Sequence, residues 1–457
     1  MSGSAADGDG IPGKRSLRPL AGVLAAMAVS LTGTRVSAVA LPWFVLVTTG
    51  SATQTGLAAF CEMTPYVVVK VFTGPLVDRI GPRTVSWTTD LASAAAAAAV
   101  PLLHALDALS FPLLLALVAL IGAARGPGDL AKTVMVPEAA DRGRVPLERA
   151  TGLSGVVERL ASTLGMAAGG ALVGLLGPLT GLVVNAGCFA LGSVIIGLSL
   201  PGGMGRAAEE QPAQATGAIG ATEATEAAEP GYWRRFGEGF TFLRGELLLL
   251  SVIVMVGITN LLDAGFNSVL IPVWAKESGH GPGVIGLVGS VMGGAAVCGS
   301  LIASVAAQRL RRRLVFFTGF LLAGAPRFLV LAFDAPVGAV LAVFALSGFG
   351  AGFVNPVLGA VQFERIPRRI LGRVNALSNS LGYAGIPLGG LIAGAAVASA
   401  GLVPVLLVGG SVYFLTTNLT GLRPEWREMD RARPDGRRVP EHSPGADAKP
   451  TGTRSGP

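Results

Sequence analysis

Gly74-Pro75-Leu76-Val77-Asp78-Arg79-Ile80-Gly81-Pro82-Arg83 is a short charged turn set between two apolar runs, Gln54–Val77 and Thr84–Leu103. Each run reaches the roughly 20 residues an α-helix needs to cross the hydrocarbon of a bilayer, so the turn joins two spans at one membrane face. Its residues suit a joint between helices. Gly74 lets helices pack closely, Gly81 can take a backbone conformation closed to other residues, and Asp78 can accept from an arginine or a helix N-terminus when that face is shut.

The pattern repeats outward along the chain. Of 457 residues, 51% are hydrophobic and 14% charged, against about 25% charged in a soluble domain, which excludes an ordinary globular protein. Gly accounts for 65 residues without a fixed period, so a collagen-like chain is excluded and close helix approach is favoured. Apolar runs fall at Leu20–Val47, Gln54–Val77, Thr84–Leu103, Ser110–Val134, Thr151–Leu176, Leu179–Leu200, Leu247–Trp274, Val284–Ala306, Leu314–Phe333, Val337–Val361, Val374–Ala398 and Val403–Thr420. The first is too long for a signal-peptide core and is followed by further spans; it is expected to remain as helix 1.

Basic residues set the orientation. Lys14, Arg15 and Arg18 precede helix 1. The connections after helices 2, 4, 6, 8 and 10 hold Arg79 and Arg83, Arg142, Arg144 and Arg149, Arg206, Arg234 and Arg235, Arg309 and Arg311–Arg313, and Arg365, Arg368, Arg369 and Arg373. The opposite connections contain only Lys276. By the positive-inside rule both termini are cytoplasmic, which requires an even number of spans. The expected fold is an all-α membrane protein of twelve transmembrane helices in two six-helix halves. The net charge of +7 is then a topology signal and not a sign of nucleic-acid binding. Residues 1–18 form a cytoplasmic tail, 19–200 the first half, 201–245 a linker, 246–422 the second half and 423–457 a polar tail expected to be disordered. Pro201–Pro230 is too poor in apolar residues to fold. Tyr232–Leu243 places Trp233, Phe236, Phe240 and Leu243 at helical spacing, as an interfacial amphipathic helix would.

The Gly74–Arg83 turn resembles the loop 2–3 motif of the major facilitator superfamily, G-x-L-[A/V]-D-R-x-G-[R/x]-[R/K], with every fixed position matched, and Asp90 just beyond it is read as bracing the same gate. After helix 8 the corresponding turn retains Gly299 and Leu301 but has Ala303 where the first copy has Asp78. Helix 5 carries Gly152, Ala161, Gly165, Met166, Gly169 and Gly170, which resembles the antiporter motif G-x8-G-x3-G-P-x2-G-G with Ala161 for one Gly and Met166 for the Pro; general small-residue packing is the alternative. Ala40-Leu41-Pro42-Trp43, Glu238-Gly239-Phe240, Leu371-Gly372-Arg373-Val374 and Pro387-Leu388-Gly389-Gly390 are similar to the third drug:proton antiporter subfamily. Met135-Val136-Pro137-Glu138 is similar to multidrug efflux pumps of the Tap type. The resemblance covers most of residues 20–420. It implies export from the cytoplasm driven by a proton gradient, in a bacterial cytoplasmic membrane.

Ionisable residues inside spans cost roughly 2.5–3.5 kcal/mol on insertion scales and are functional candidates by default. Asp129, Lys132, Glu158 and Arg159 are near enough to span ends to snorkel and are read as interface residues. Arg35 and Glu62 lie deep, roughly 18 Å and 12 Å from the ends of their spans at about 1.5 Å per residue, and are expected to pair. Glu62 is then the first candidate for the coupling proton; a static salt bridge between helices 1 and 2 is the alternative. In the pumps resembled, helix 1 has an acidic position just before its Val-Ser, where this chain has Thr34 and Arg35. With Arg125 and Lys70 this favours an anionic or neutral polar cargo. Asn260, Asp263 and Asn267 fall near one face of helix 7, a cavity-lining helix in the superfamily, so they are candidates for cargo contact or a second proton site; interhelical hydrogen bonding is the alternative. Arg327, beside Pro326 in a helix expected to be peripheral, is read as structural. Cys61, Cys188 and Cys298 are too few and too scattered for a disulfide framework or zinc site. With no nucleotide loop, metal cluster or nucleophile–base set, no enzyme activity and no cofactor are expected. The expected partners are a small-molecule substrate, protons and the lipid bilayer, with the chain a monomer. Uptake of a polar metabolite by symport and a non-transporting receptor are the alternative functions.

Overall fold

Proline and glycine punctuate the chain where helices end, because one lacks an amide donor and the other tolerates a left-handed backbone. The computed structural model describes residues 16–201, 204, 240–306, 312–366, 370–422 and 426, and these are helical almost throughout. The first six helices are α1 (Arg18–Thr49), α2 (Ala52–Ile80), α3 (Pro82–Ala105), α4 (Phe111–Gly143), α5 (Leu147–Leu176) and α6 (Pro178–Ser199). After a short helix at 240–245 comes α7, built from Leu247–Gly265, a π-helical turn Phe266–Leu270, and Ile271–Glu277. The remaining helices are α8 (Gly283–Ala306), α9 (Arg312–Ala323 and Ala325–Ala332), α10 (Val337–Arg365), α11 (Leu371–Tyr383 and Ile386–Ala400) and α12 (Leu402–Leu422).

Each apolar run of the sequence corresponds to one of these helices. Eleven are long and apolar enough to cross a membrane. The exception is α3, whose run of Ala, Ser and Thr lowers its hydropathy. The all-α membrane class expected from the sequence is therefore the one observed. The 201–230 linker apart from Pro201 and Met204, most of the amphipathic segment, the tail beyond Leu422 apart from Trp426, and Lys14, Arg15, Arg206, Arg234, Arg235, Arg309, Arg311, Arg368 and Arg369 lie outside the described residues.

The turns are minimal. Gly81 alone separates α2 from α3 at φ +91°, with Pro82 opening the next helix. Gly177 and Pro178 repeat the device between α5 and α6 at φ +85°. Helices this tightly joined must run antiparallel. In α7, Pro272 has no amide to return to the preceding turn, and the widened π-helical turn lies immediately before it.

Helix packing divides into two bundles. α1 packs on α5 and α6, α2 on α4, and α3 on α4 and α6; in the second bundle α10 packs on α8 and α9, while α7 packs on α11 and α12. The bundles meet where α2 crosses α11 and α5 crosses α8. Both crossings depend on missing side chains. A Cβ placed on Gly170 of α5 would fall 2.6 Å from the Cα of Gly286 on α8, and one on Gly56 of α2 would strike the backbone carbonyl of Gly390 on α11. Near the same end of the molecule, Lys276 Nζ donates to the Leu46 carbonyl at 3.0 Å and Thr53 Oγ1 to the Gly394 carbonyl at 3.4 Å.

The end that carries Gly50 is thus sealed between the bundles. At the end that carries Gly81 no comparable joint occurs among the described residues: Phe72, Leu76, Leu160 and Tyr383 are exposed, and Cβ atoms on Gly74 or Gly152 would meet open space.

Overpacking the seal should open it. Forcing extra methyl groups into a close-packed contact costs about 1–3 kcal/mol, so Gly286→Val is expected to shift the population away from the sealed form. Asn267 lies in the space between the bundles. With Cys61, Cys188 and Cys298 replaced by alanine, an impermeant maleimide presented only at the Gly50 face should label Asn267→Cys about fivefold faster, or more, in the Gly286→Val background.

Candidate functional site

Between the bundles lies a cavity of about 280 Å³, walled by Thr34, Arg35, Glu62, Arg125, Asn267 and Gly390 among others. A second space of about 400 Å³ extends from it toward the Gly81 end, past Tyr66, Lys70, Asp129, Lys132 and Glu158. Thr34, Arg35 and Arg125 border both, so the two form one route that is closed at the Gly50 end.

Glycines of α4 build the charged wall. Cβ atoms on Gly122 and Gly126 would meet the backbone carbonyls of Glu62 and Tyr66 on α2, so α4 lies directly against α2 along that stripe. This puts Arg125 beside Glu62: Arg125 Nη1 donates to Glu62 Oε1 at 2.8 Å, and the guanidinium stacks 4.5 Å from the Tyr66 ring centre. The expected Arg35–Glu62 pair is therefore replaced by an Arg125–Glu62 pair. Arg35 is at a suitable depth, but α1 packs its base against α5, where a Cβ on Gly165 would lie 2.7 Å from the Arg35 Cβ. The Gly122-x-x-x-Gly126 spacing around Arg125 was the available sequence signal, since small residues four apart mark close helix approach.

Tyr66, which the sequence reading passed over, links two more charges. Lys70 Nζ donates to its hydroxyl at 3.1 Å, and that hydroxyl in turn donates to Asp129 Oδ2 at 3.5 Å. Lys132 Nζ donates to Asp90 Oδ1 at 2.7 Å, both side chains being only 3% exposed. Reading Lys132 as a snorkelling interface residue fails because α4 continues to Gly143, well past Val134, leaving Lys132 roughly 16 Å from the helix end. Asp90 likewise stabilises the interior of the first bundle and does not touch the Gly81 turn.

The turn itself is disengaged. Asp78 and Arg79 are exposed and make no ion pair among the described residues, Leu76 is exposed, and Arg83 Nη2 donates to the Gly197 carbonyl of its own bundle at 2.7 Å. On α5, Gly165 and Gly169 face Arg35 and Val36 of α1, Gly170 faces Gly286 of α8, and Gly152 faces open space.

The α7 cluster is divided. Asn267 borders the central cavity, whereas Asn260 and Asp263 border a separate pocket of about 170 Å³ inside the second bundle. The π-helical turn that begins at Phe266 underwinds the helix between them, so spacing on a regular helix misjudged their faces. Asn260 Nδ2 donates to the Gly382 carbonyl at 2.9 Å, and Asn267 Nδ2 to the Asp263 carbonyl at 2.7 Å. Asp263 is ion-paired with Arg327 of α9, whose guanidinium lies 5.0 Å from the Phe266 ring centre and 5.6 Å from that of Tyr413. Arg327 is therefore buried and paired. No group of three or more metal-ligating side chains occurs among the described residues.

Comparison with known proteins gives a consistent picture. The sequence pattern of the Major Facilitator Superfamily matches residues 23–262 and 252–447. The multidrug efflux pump Tap of Mycobacterium tuberculosis is 31% identical over 416 residues, 90% of this chain and 94% of that protein. Its counterpart in Mycolicibacterium fortuitum is 30% identical over 426 residues, 91% of this chain and 98% of the other. Among solved structures, the nucleoside transporter NupG superposes with a TM-score of 0.63 at 14% identity, covering 89% of this chain and 98% of its own. A bacterial homologue of the human lysosomal transporter Spinster, in an inward-facing and unoccupied conformation, gives 0.60 at 13% identity, covering 92% and 97%.

Removing one member of a buried pair leaves the other charge uncompensated, at about 3–5 kcal/mol. Lys132→Met should destabilise the purified protein by that order in an unfolding titration. The Asp90→Asn/Lys132→Met double variant should regain most of the loss.

Proposed function

The chain belongs to the major facilitator superfamily, and from that premise we propose that it exports a small organic molecule from the cytoplasm by proton antiport and alternating access. As a transporter of this superfamily it is a multi-pass protein of the cytoplasmic membrane and not an enzyme. Export is the direction named for its mycobacterial relatives, which are multidrug efflux pumps.

Orientation follows from the arginines. Among the described residues Arg18, Arg79, Arg83, Arg142, Arg144 and Arg149 cluster at the Gly81 end, which makes that end cytoplasmic. α3 then completes twelve crossings in two halves of six, with both termini inside. The cavity opens toward the cytoplasm, as a pump loading its cargo requires, and the turn at Asp78 and Arg79 is free because the inner gate is open. Rocking the halves about the cavity closes that gate and parts the glycine seal at the opposite end.

The observation that carries the coupling is the Glu62–Arg125 pair on the cavity wall. While Glu62 is ionised it holds Arg125 against α2. A proton on Glu62 removes that attraction and leaves Arg125 to seek another acceptor, so the charge arrangement seen by the cargo changes with the proton. Protons arriving from outside favour the discharged form, and deprotonation to the cytoplasm restores the pair for the next cargo. Arg35 and Asn267 face the same space and supply polar contacts to cargo.

Everted membrane vesicles test both parts with a panel of dyes and antibiotics. Accumulation should require the proton gradient and collapse with an uncoupler. Glu62→Gln should equilibrate cargo across the membrane but lose gradient-driven accumulation. Undiminished accumulation by this variant would remove Glu62 as the proton carrier, and accumulation indifferent to the uncoupler would remove antiport altogether.

A further inference from the structure

Among the described residues four cations line the route between the bundles, and three of them are occupied. Arg125 is held by Glu62 at 2.8 Å, Lys132 by Asp90 at 2.7 Å, and Lys70 donates to Tyr66 at 3.1 Å. Arg35 has no hydrogen bond and no carboxylate within 4 Å among the described residues, and its Nε is buried without an acceptor. We propose that Arg35 is the docking point for an acidic group of the cargo, so that transported molecules carry a carboxylate or sulfonate. The inference rests on the transport reading above and names the chemistry of its cargo.

The position fits this role. Arg35 borders both the 280 Å³ and the 400 Å³ spaces, so an acid bound there sits midway along the route. The base of the side chain is fixed by close packing of Gly165 against its Cβ, which leaves the guanidinium to face the route. Its nearest polar neighbour on α1 offers no compensation: Thr34 Oγ1 donates to the Ser30 carbonyl at 2.9 Å. Guanidinium is always charged and presents a planar fork of donors that matches a carboxylate or sulfonate. Asp129 and Glu158 border the same space but neither pairs with Arg35 within 4 Å; a buried charge is costly without a direct partner, and a cargo acid supplies that partner only while cargo is bound.

The carboxylates on the same route limit the charge of the cargo. Asp129 accepts from Tyr66, and Glu158 lies exposed toward the cytoplasmic mouth. Both would repel a polyanion, so the site selects one acidic group attached to a neutral or basic body.

The test uses the purified full-length protein in nanodiscs of zwitterionic lipid, with thermal unfolding as the readout. Sodium benzoate and sodium benzenesulfonate are compared with benzyl alcohol and benzylammonium chloride, with sodium chloride matching ionic strength. The two acids should raise Tm, with an apparent affinity for benzoate at least about tenfold above that for benzyl alcohol, as charged hydrogen bonds confer. Arg35→Gln should abolish the difference, Arg35→Lys should retain a weakened response should the neutral variant fold poorly, and Arg149→Gln at the exposed inner rim should behave like the parent. Stabilisation by the alcohol or amine equal to that by the acids, a full acid response in Arg35→Gln, or no response to either acid would overturn the proposal. No gradient is involved, so failure of proton coupling in vesicles would leave this result standing, and the reverse also holds.

Discussion

A charge inside a bilayer is costly unless it is paired, and three ion pairs buried between helices organise the packing of this chain. Each buried pair joins two helices: Glu62 on α2 to Arg125 on α4, Asp90 on α3 to Lys132 on α4, and Asp263 on α7 to Arg327 on α9. Apolar side chains give transmembrane helices little preference for one another over lipid. The ion pairs supply the missing specificity, because only one rotation and one depth of each helix brings the partners together. α4 carries two of these cations seven residues apart and so fixes the positions of both α2 and α3.

Glycine does the complementary work. Where the two bundles meet, contacts are backbone against backbone, as at Gly170 with Gly286 and Gly56 with Gly390. Such contacts hold by fit and carry no charge that must be re-partnered when they separate. Within each bundle ion pairs join neighbouring helices; between bundles the glycine contacts are shallow and can be broken. That division of labour is what a pair of bodies rocking about a central site needs.

The spans and their minimal turns were legible because both are written in local sequence: apolar runs of fixed length, and Gly-Pro pairs such as Gly81-Pro82 at the ends. Depth was legible as well, since residues convert to ångströms along a helix axis, and Arg35 and Glu62 do border the same cavity. Partnership was not, because it depends on which helices touch. Glu62 goes to Arg125 through the packing of Gly122 and Gly126 on α2, and Arg35 is carried to α5 by Gly165. Asp263 and Asn267 were assigned one face on the assumption of an unbroken α-helix, and the π-helical turn before Pro272 parts them. Lys132 was misplaced by a helix end taken from hydropathy, since a polar helix can continue past the apolar run that reveals it.

The two halves share an architecture but not a chemistry. In the second half the acidic residue of α7 is closed inside its own bundle by Arg327, with three aromatic rings around the guanidinium, and the surface it turns to the cavity consists of Ala264, Asn267, Ser268, Ile386 and Gly390. In the first half Arg35, Glu62, Tyr66, Lys70, Arg125 and Asp129 all border the route. The same asymmetry appears in the loops, where Asp78 of the first half has Ala303 as its counterpart in the second. On the transport cycle proposed above, recognition and proton exchange would therefore fall on one body, with the other a nearly neutral wall among the described residues. In that cycle a neutral wall would not compete for a charged cargo as the halves rock, so the cargo would remain with the charged half while access to it changes sides.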